Sequence, residues 1–267
     1  MTVTAVTATA VTAAVTAGPA ELLALWEAGL GLPGPGRAHL LHRAARPEAG
    51  DGELLSAPVG EREADLFALR RALFGERMQV LVECEPCGEA MEFDLGTDDL
   101  AARRPRRDGP LRVAEDGWEV EFRLPTVADL AAVAEAVGNG PGADGSSARS
   151  LLIARCVVSA VRAGEPVPAD RLPGPLPERV LRRVAEAAEQ ADPAADVTLR
   201  VSCPECGGTT RTELDIASYL WAELDSWARD LLLDVHLLAG AYGWTEPEIL
   251  ALSPLRRRYY LELCADV

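Results

Sequence analysis

The stretch SCPECGGTTRTELDI, residues 202–216, repeats the layout of ECEPCGEAMEFDL, residues 83–95. Each contains two cysteines separated by two residues, a glycine straight after the second cysteine, and a leucine eight residues beyond it. The cysteines of the earlier stretch precede those of the later one by 119 positions (203 − 84 = 119). A chain that carries the same short pattern twice, so far apart, is expected to bring the two copies together in the fold.

The two patterns have the composition of one shared zinc site. Tetrahedral zinc takes four ligands at about 2.0–2.3 Å, and each C-x-x-C turn supplies two of them. The glycine after the second cysteine can adopt a positive φ, which lets the turn close under the metal. Strand-like residues flank both turns, as a zinc ribbon requires. We therefore predict that Cys84, Cys87, Cys203 and Cys206 hold one structural Zn²⁺, with no open position for a substrate.

Other uses of paired cysteines remain possible at this point. Two separate disulfides would suit an exported protein. A thioredoxin-like redox motif would place C-x-x-C at the N-terminus of a helix, whereas here strand-like segments lie on both sides. An iron–sulfur cluster uses the same four thiolates, and spacing alone does not distinguish it from zinc.

Hydrophobic periodicity predicts an α+β chain that is mainly helical, with two β-hairpin zinc knuckles, a long C-terminal helix and short terminal helices. Between the knuckles we expect a hairpin turn at Asp116-Gly117, a helix capped by Thr126, and an apolar helix over 148–163 that contains Cys156. The predicted segments are a disordered Thr/Ala/Val tail (1–18), a helical segment (19–76), a split zinc-ribbon β region (77–215) with an inserted helical subdomain (about 126–190), and a C-terminal helical interaction segment (216–267).

The long C-terminal helix is indicated by apolar residues that recur every three or four positions. A glycine-containing break follows it, and Thr245 and Pro254 then mark the starts of two short helices. The residues of the apolar stripe are Ile216, Leu220, Leu224, Trp227, Leu231, Val235 and Leu238.

The charge of the chain limits its partners. Its 42 acidic and 26 basic residues give a net charge of −16. Such a chain is repelled by DNA, RNA and anionic membranes, so we expect no nucleic-acid or membrane partner. No segment has about 18 consecutive apolar residues, and the N-terminal stretch lacks the basic region of a signal peptide. We therefore expect a cytoplasmic protein.

The sequence contains no recognisable catalytic motif. The three histidines have no metal-ligand spacing, and no nucleophile elbow or phosphate-binding glycine loop occurs. We expect Cys156, which lies in an apolar helix, to be a buried small hydrophobic residue, and Cys264 near the C-terminus to have no catalytic role. We expect no enzymatic activity and no small-molecule substrate.

Several stretches resemble a known family. ELLALWEAGLGLP, FRLPTVADLAAVAEA, the paired knuckles and VHLLAGAYGWTEPEILALSPLRRRYYLEL are similar to T4-type phage baseplate hub assembly proteins (chaperone-like) and their counterparts in phage-like contractile injection systems. The resemblance covers most of the chain after residue 19. It implies a non-enzymatic role in the cytoplasm or in a phage-like particle, in which the protein helps baseplate or tail hub subunits to assemble.

The last 50 or so residues contain most of the large aromatic residues, and aromatic and arginine side chains are favoured interface anchors. The same residues can instead form a local core of two or three packed helices. The predicted partner-binding residues are Tyr242, Trp244, Ile249, Leu252, Arg256, Arg257, Tyr259 and Tyr260.

Two other functions remain as alternatives. A zinc-ribbon adaptor in transcription or RNA metabolism needs a basic face beside the knuckles, whereas Glu83, Glu85 and Glu89 make the first knuckle acidic. A redox or iron–sulfur protein would be coloured, or would oxidise its C-x-x-C pairs reversibly.

Overall fold

A computed structural model describes residues 18–96, 109–138, 145–168 and 176–265 of the chain. Residues 1–17, which make up nearly all of the predicted tail, lie outside the described residues. In chain order the elements are α1 (Pro19–Leu30), α2 (Gly34–Ala45), α3 (Asp51–Ser56), α4 (Val59–Phe74), β1 (Arg77–Glu83), β2 (Ala90–Gly96), β3 (Leu111–Glu115), β4 (Trp118–Phe122), α5 (Val127–Gly138), α6 (Gly145–Cys156), β5 (Val157–Arg162), β6 (Glu165–Pro166), α7 (Glu178–Ala191), β7 (Thr198–Ser202), β8 (Thr209–Glu213), α8 (Ile216–Tyr242), α9 (Glu246–Leu250) and α10 (Pro254–Ala265).

The described chain is a mixed α/β structure in which helix predominates, in agreement with the predicted fold class. It forms two compact units. The smaller unit combines residues 18–47 with 216–265, and the larger unit contains the described residues of 48–215. The predicted helical segment 19–76 therefore contributes helices to both units.

The larger unit contains an antiparallel four-stranded sheet in the order β3-β4-β5-β6. The expected hairpin turn joins β3 to β4, and its Asp116 and Gly117 have φ values of 49° and 75°, as a tight two-residue turn requires. Alternate residues of β4 point into a core that helix α7 covers. The buried residues of this core are Val113, Trp118, Val120, Phe122, Ile153, Ala160, Leu176, Val180, Leu181 and Val184.

The predicted helix over 148–163 is wrong in its second half. Helix α6 ends at Cys156, and β5 follows at once and pairs with β4, so that Ala160 lies opposite Val120. The β-branched valines of residues 157–162 favour this extended conformation, and the open edge of β4 supplies backbone partners that a helix would not use. The inserted segment is consequently part sheet.

The start of α5 follows the predicted cap. Thr126 Oγ1 accepts a hydrogen bond from the N–H of Asp129 (3.3 Å), and the Asp129 carboxylate accepts one from the N–H of Thr126 (3.0 Å). Asp129 is buried and also binds Arg123 and Arg155, which link it to the end of β4 and to α6. Burial acts to raise the pKa of Asp129, but the Arg123 and Thr126 hydrogen bonds hold it well below the usual range.

A second buried carboxylate joins α4 to the segment that enters β7. Asp192 Oδ2 accepts a hydrogen bond from the N–H of Gly60 in the first turn of α4, at 2.9 Å. A Cβ atom at position 60 would lie only 1.7 Å from Asp192 Oδ1, so this contact requires glycine. The contact positions α4 beside the approach to the second knuckle.

In the smaller unit, α8 packs against α1 and α2. Trp26 Nε1 donates to Asp225 Oδ1 at 2.8 Å, and Gly29 leaves room for the Trp221 ring, which a Cβ there would approach to 2.3 Å. The predicted stripe is largely buried, although Trp227 and Val235 are only partly so. Within the described residues, every helix is too short or too polar to cross a lipid bilayer.

Candidate metal centre

Two antiparallel hairpins of the larger unit position the four predicted ligands. β1 pairs with β2, and β7 pairs with β8. The last strand pairs before the turns are Glu83 with Ala90 and Ser202 with Thr209, so each C-x-x-C sequence forms the loop between two paired strands. The thioredoxin-like arrangement, with the motif at a helix N-terminus, is therefore not what the chain adopts.

In the first knuckle, the backbone closes on itself around Cys84. The N–H of Gly88 donates to the carbonyl of Cys84 at 2.8 Å, and the N–H of Cys84 donates to the carbonyl of Glu89 at 2.8 Å. Gly88 has a φ of 74°, a left-handed conformation that a side chain would strain.

The second knuckle repeats this pattern 119 positions later. The N–H of Gly207 donates to the carbonyl of Cys203 at 2.9 Å, and the N–H of Cys203 donates to the carbonyl of Gly208 at 2.8 Å. Gly207 has a φ of 70°. The two sequence repeats are thus one local structure built twice.

The structure brings all four predicted metal ligands together. Their sulfur atoms lie within 4.8 Å of one another, with Cys84 3.6 Å from Cys206 and Cys87 3.7 Å from Cys203. A tetrahedron with metal–sulfur bonds of 2.3 Å has sulfur–sulfur edges of about 3.8 Å, so the cluster has the size of a tetrahedral thiolate site. None of the described cysteines forms a disulfide.

Burial within the cluster follows the pseudo-symmetry of the knuckles. The first cysteine of each pair, Cys84 or Cys203, is buried, whereas the second, Cys87 or Cys206, is exposed. The site therefore sits between the two hairpins with one edge open to solvent. A metal ion bound there would be fully ligated by protein and yet within reach of a soluble chelator.

Backbone N–H groups and neighbouring thiols perturb the cysteines unequally. The N–H of Cys206, with that of Glu205, lowers the pKa of Cys203 to about 7 despite burial. At Cys87 the N–H of Glu89 acts to lower the pKa, but hydrogen bonds to neighbouring thiols, together with burial, raise it to about 12. A metal ion must displace these thiol protons, so metal affinity at this site should rise with pH.

Two contacts between the knuckles were missed by sequence reasoning. The Thr210 hydroxyl accepts a hydrogen bond from the N–H of Glu85 at 3.0 Å, and Thr210 is buried. Pro86 packs over Gly208 so closely that a Cβ at 208 would lie 2.8 Å from Pro86 Cγ. One sequence signal for this close packing was available. The second knuckle has a second glycine, Gly208, at the position where the first knuckle has Glu89.

The predicted partner-binding residues lie in the smaller unit, and three of them pack on one another. Tyr242 stacks on Trp244 with ring centroids 4.6 Å apart, and Tyr260 meets both rings edge-on at 5.7 and 4.9 Å. Stacked and edge-to-face pairs of this kind stabilise the turn between α8 and α10. Tyr242 nevertheless keeps 39% of its surface exposed.

The remaining five predicted partner-binding residues divide by burial. Ile249 and Arg257 are buried, so we place them in the packing of their own unit. Arg257 Nε lies 3.8 Å from Asp234 Oδ2. Leu252 is partly buried, whereas Arg256 and Tyr259 are exposed.

An exposed apolar stripe on α10 was not identified as such from the sequence. Leu255, Tyr259 and Leu263 follow one another at intervals of four, which places them on one helix face, and they are 65%, 61% and 58% exposed. The i, i+4, i+8 spacing was the signal, but only Tyr259 of the three was among the predicted residues.

Comparison with known proteins identifies a family. The model of a family described as T4 bacteriophage base plate protein matches residues 48–220 of the chain. The match spans the larger unit, including both knuckles, and runs into the first residues of α8. No curated protein and no solved structure matches the chain.

Proposed function

Because this chain belongs to the T4 bacteriophage base plate protein family, we propose that it is a non-enzymatic assembly factor or structural component of a contractile phage tail or phage-like injection-system baseplate. The observation that carries the proposal is the family match over residues 48–220, which covers the whole unit that holds the cysteine cluster. We place the protein in the cytoplasm, or in the particle that it helps to build.

In this proposal the four cysteines hold a structural Zn²⁺. Four thiolates leave no coordination position for a substrate, so the ion acts on the fold. It ties the hairpin after α4 to the hairpin before α8 and closes a loop of more than 100 residues (88–202). Closing a loop of this length removes much conformational freedom from the unfolded chain, and metal binding free energy becomes folding free energy.

The partner in this proposal is a baseplate or tail hub subunit, and it docks on the C-terminal helix α10. The stripe of Leu255, Tyr259 and Leu263 is the support for this assignment, because large apolar side chains are rarely exposed together without a binding role. An amphipathic helix that lies in a partner's groove uses anchors at this spacing. Arg256 stands exposed beside the stripe and is suited to the rim of such an interface.

Co-expression with the baseplate and hub subunits of a contractile system from the same genome tests the proposal. We expect one of them to co-purify with the full chain, and the Leu255→Ser/Leu263→Ser variant to lose most of that partner. Leu233→Ser, which changes another exposed leucine of the smaller unit, is the matched control and should retain the partner. Failure of every baseplate and hub protein to bind would overturn the assembly role. Equal binding by both variants would remove only the α10 assignment.

A further inference from the structure

The outer face of the second knuckle hairpin presents two arginines side by side. In the register of β7 and β8, Arg200 lies directly opposite Arg211, and both are exposed. Directly opposed residues of an antiparallel pair have Cβ atoms about 4.5–5.5 Å apart, close enough for their side chains to interact. Like charges in this arrangement destabilise the hairpin that carries them.

The described part of the chain places no anionic partner on these two cations. Neither the Arg200 nor the Arg211 guanidinium makes a hydrogen bond or an ion pair with any residue that the structure describes. The chain as a whole has 42 acidic residues against 26 basic ones, and all of the basic ones are arginine. Glu213 shares the exposed face, two positions beyond Arg211, but it is not within ion-pair distance of either arginine.

The surroundings of the pair suit a carboxylate ligand. Serine and threonine hydroxyls at Ser202 and Thr209 continue the same face toward the knuckle. Planar guanidinium groups bind carboxylates through two parallel hydrogen bonds, and a rigid hairpin holds them in place before binding. The cysteine cluster lies at the tip of this hairpin and would anchor it once metal is bound, and the Asp192 contact with α4 holds the segment before its first strand.

We propose that Arg200 and Arg211 form a docking surface for an acidic segment of a protein partner. Charge complementarity selects that occupant, because the overall charge of −16 repels nucleic acid, while a local cation pair still attracts closely placed carboxylates. The arginine pair lies in the larger unit, which the family model matches, whereas α10 lies in the smaller unit. The proposal for the arginine pair therefore does not depend on the docking role proposed for α10.

Fluorescence anisotropy with the full metal-loaded chain tests the surface. The probe is a fluorescein-labelled peptide of alternating glutamate and threonine, and its counterpart has glutamine in place of glutamate. We expect the glutamate peptide to bind more tightly, and to weaken between about 50 and about 200 mM salt. Arg200→Gln/Arg211→Gln should weaken it by about tenfold, as two exposed charge-assisted contacts together allow.

A matched control separates this effect from net charge. Arg112→Gln/Arg179→Gln removes two exposed arginines from the same unit, changes the net charge equally, and should leave peptide binding intact. Arg211→Glu should raise the thermal stability of the protein while it abolishes binding, because it places opposite charges on the cross-strand pair. A purely structural role for the pair would not separate stability from binding in this way.

Three results would overturn the proposal. Equal affinity for the glutamate and glutamine peptides would remove the charge recognition. Tighter binding of an oligothymidylate at the same two arginines would assign the surface to nucleic acid. Self-association of the chain that is lost in Arg200→Gln/Arg211→Gln, measured by sedimentation, would assign it to a second copy.

Discussion

Replacing Gly208 with alanine should weaken metal binding by pushing the two knuckles apart. The added Cβ would lie 2.8 Å from Cγ of Pro86 and 3.2 Å from the Cys206 sulfur. Gly208 does not have a positive φ, so alanine is allowed by the backbone and would, without the clash, stabilise by about 0.4–1 kcal/mol. Overpacking of a rigid neighbour costs about 1–3 kcal/mol. We expect a net loss of about 1–2 kcal/mol, or about fivefold to thirtyfold in affinity.

Competition with a chromophoric zinc chelator measures this loss. Glu89→Ala is the matched control, because residue 89 occupies the equivalent place in the first knuckle and is exposed. This variant should bind zinc as tightly as the wild type does. Gly207→Ala should also weaken binding, by about 1–2 kcal/mol, because it strains a backbone held at a φ of 70°. If Gly208→Ala bound zinc as tightly as Glu89→Ala, the packing of Pro86 between the knuckles would be refuted.

Three further predictions concern the buried carboxylates and are measured by denaturant unfolding at several pH values. Gly60→Ala should lower the free energy of unfolding by about 2 kcal/mol or more, because the new Cβ displaces Asp192 from the start of α4; unchanged stability would contradict this contact. Asp129→Asn should cost about 2 kcal/mol at neutral pH, through its helix cap and its bonds to Arg123 and Arg155. Since the pKa of Asp129 is lowered from 3.8, its contribution is present above that value and is lost as pH falls, so the variant and wild type should converge in acid. Burial raises the pKa of Asp192 above 3.8, so the stability that this carboxyl contributes is present in acid and is lost as pH rises. Asp192→Asn should remove this loss of stability at higher pH. A variant whose stability depends on pH as the wild type's does would refute the prediction.

The four-cysteine cluster is the part of this molecule that sequence predicts best. Two C-x-x-C-Gly patterns need the same ligand geometry and the same positive φ, and neither can complete a site alone. The turn at Asp116-Gly117 and the Thr126 cap were also predictable, since their chemistry is local. The turn and the cap are each determined by a few adjacent residues, and the two distant halves of the cysteine cluster can be matched because the same short pattern occurs twice.

Features that depend on distant partners were not predictable in this way. Whether residues 157–162 form helix or strand depends on the open edge of β4, which the local pattern does not reveal. The docking of Asp192 on Gly60 joins positions 132 apart and has no motif. Among the predicted partner-binding residues, Ile249 and Arg257 have the residue types of an interface, but tertiary packing buries them.

Metal stoichiometry in the purified protein and two single variants tests the central claim most directly. Elemental analysis should find one zinc ion for each wild-type chain. Cys84→Ser and Cys203→Ser alter different knuckles. Because both knuckles hold the same ion, each variant should contain less zinc per chain, and the zinc that it retains should be removed more easily by a chelator. Two ions per chain, no metal, or iron in place of zinc would contradict the account. So would a Cys203→Ser variant whose first knuckle still held metal as tightly as the wild type does.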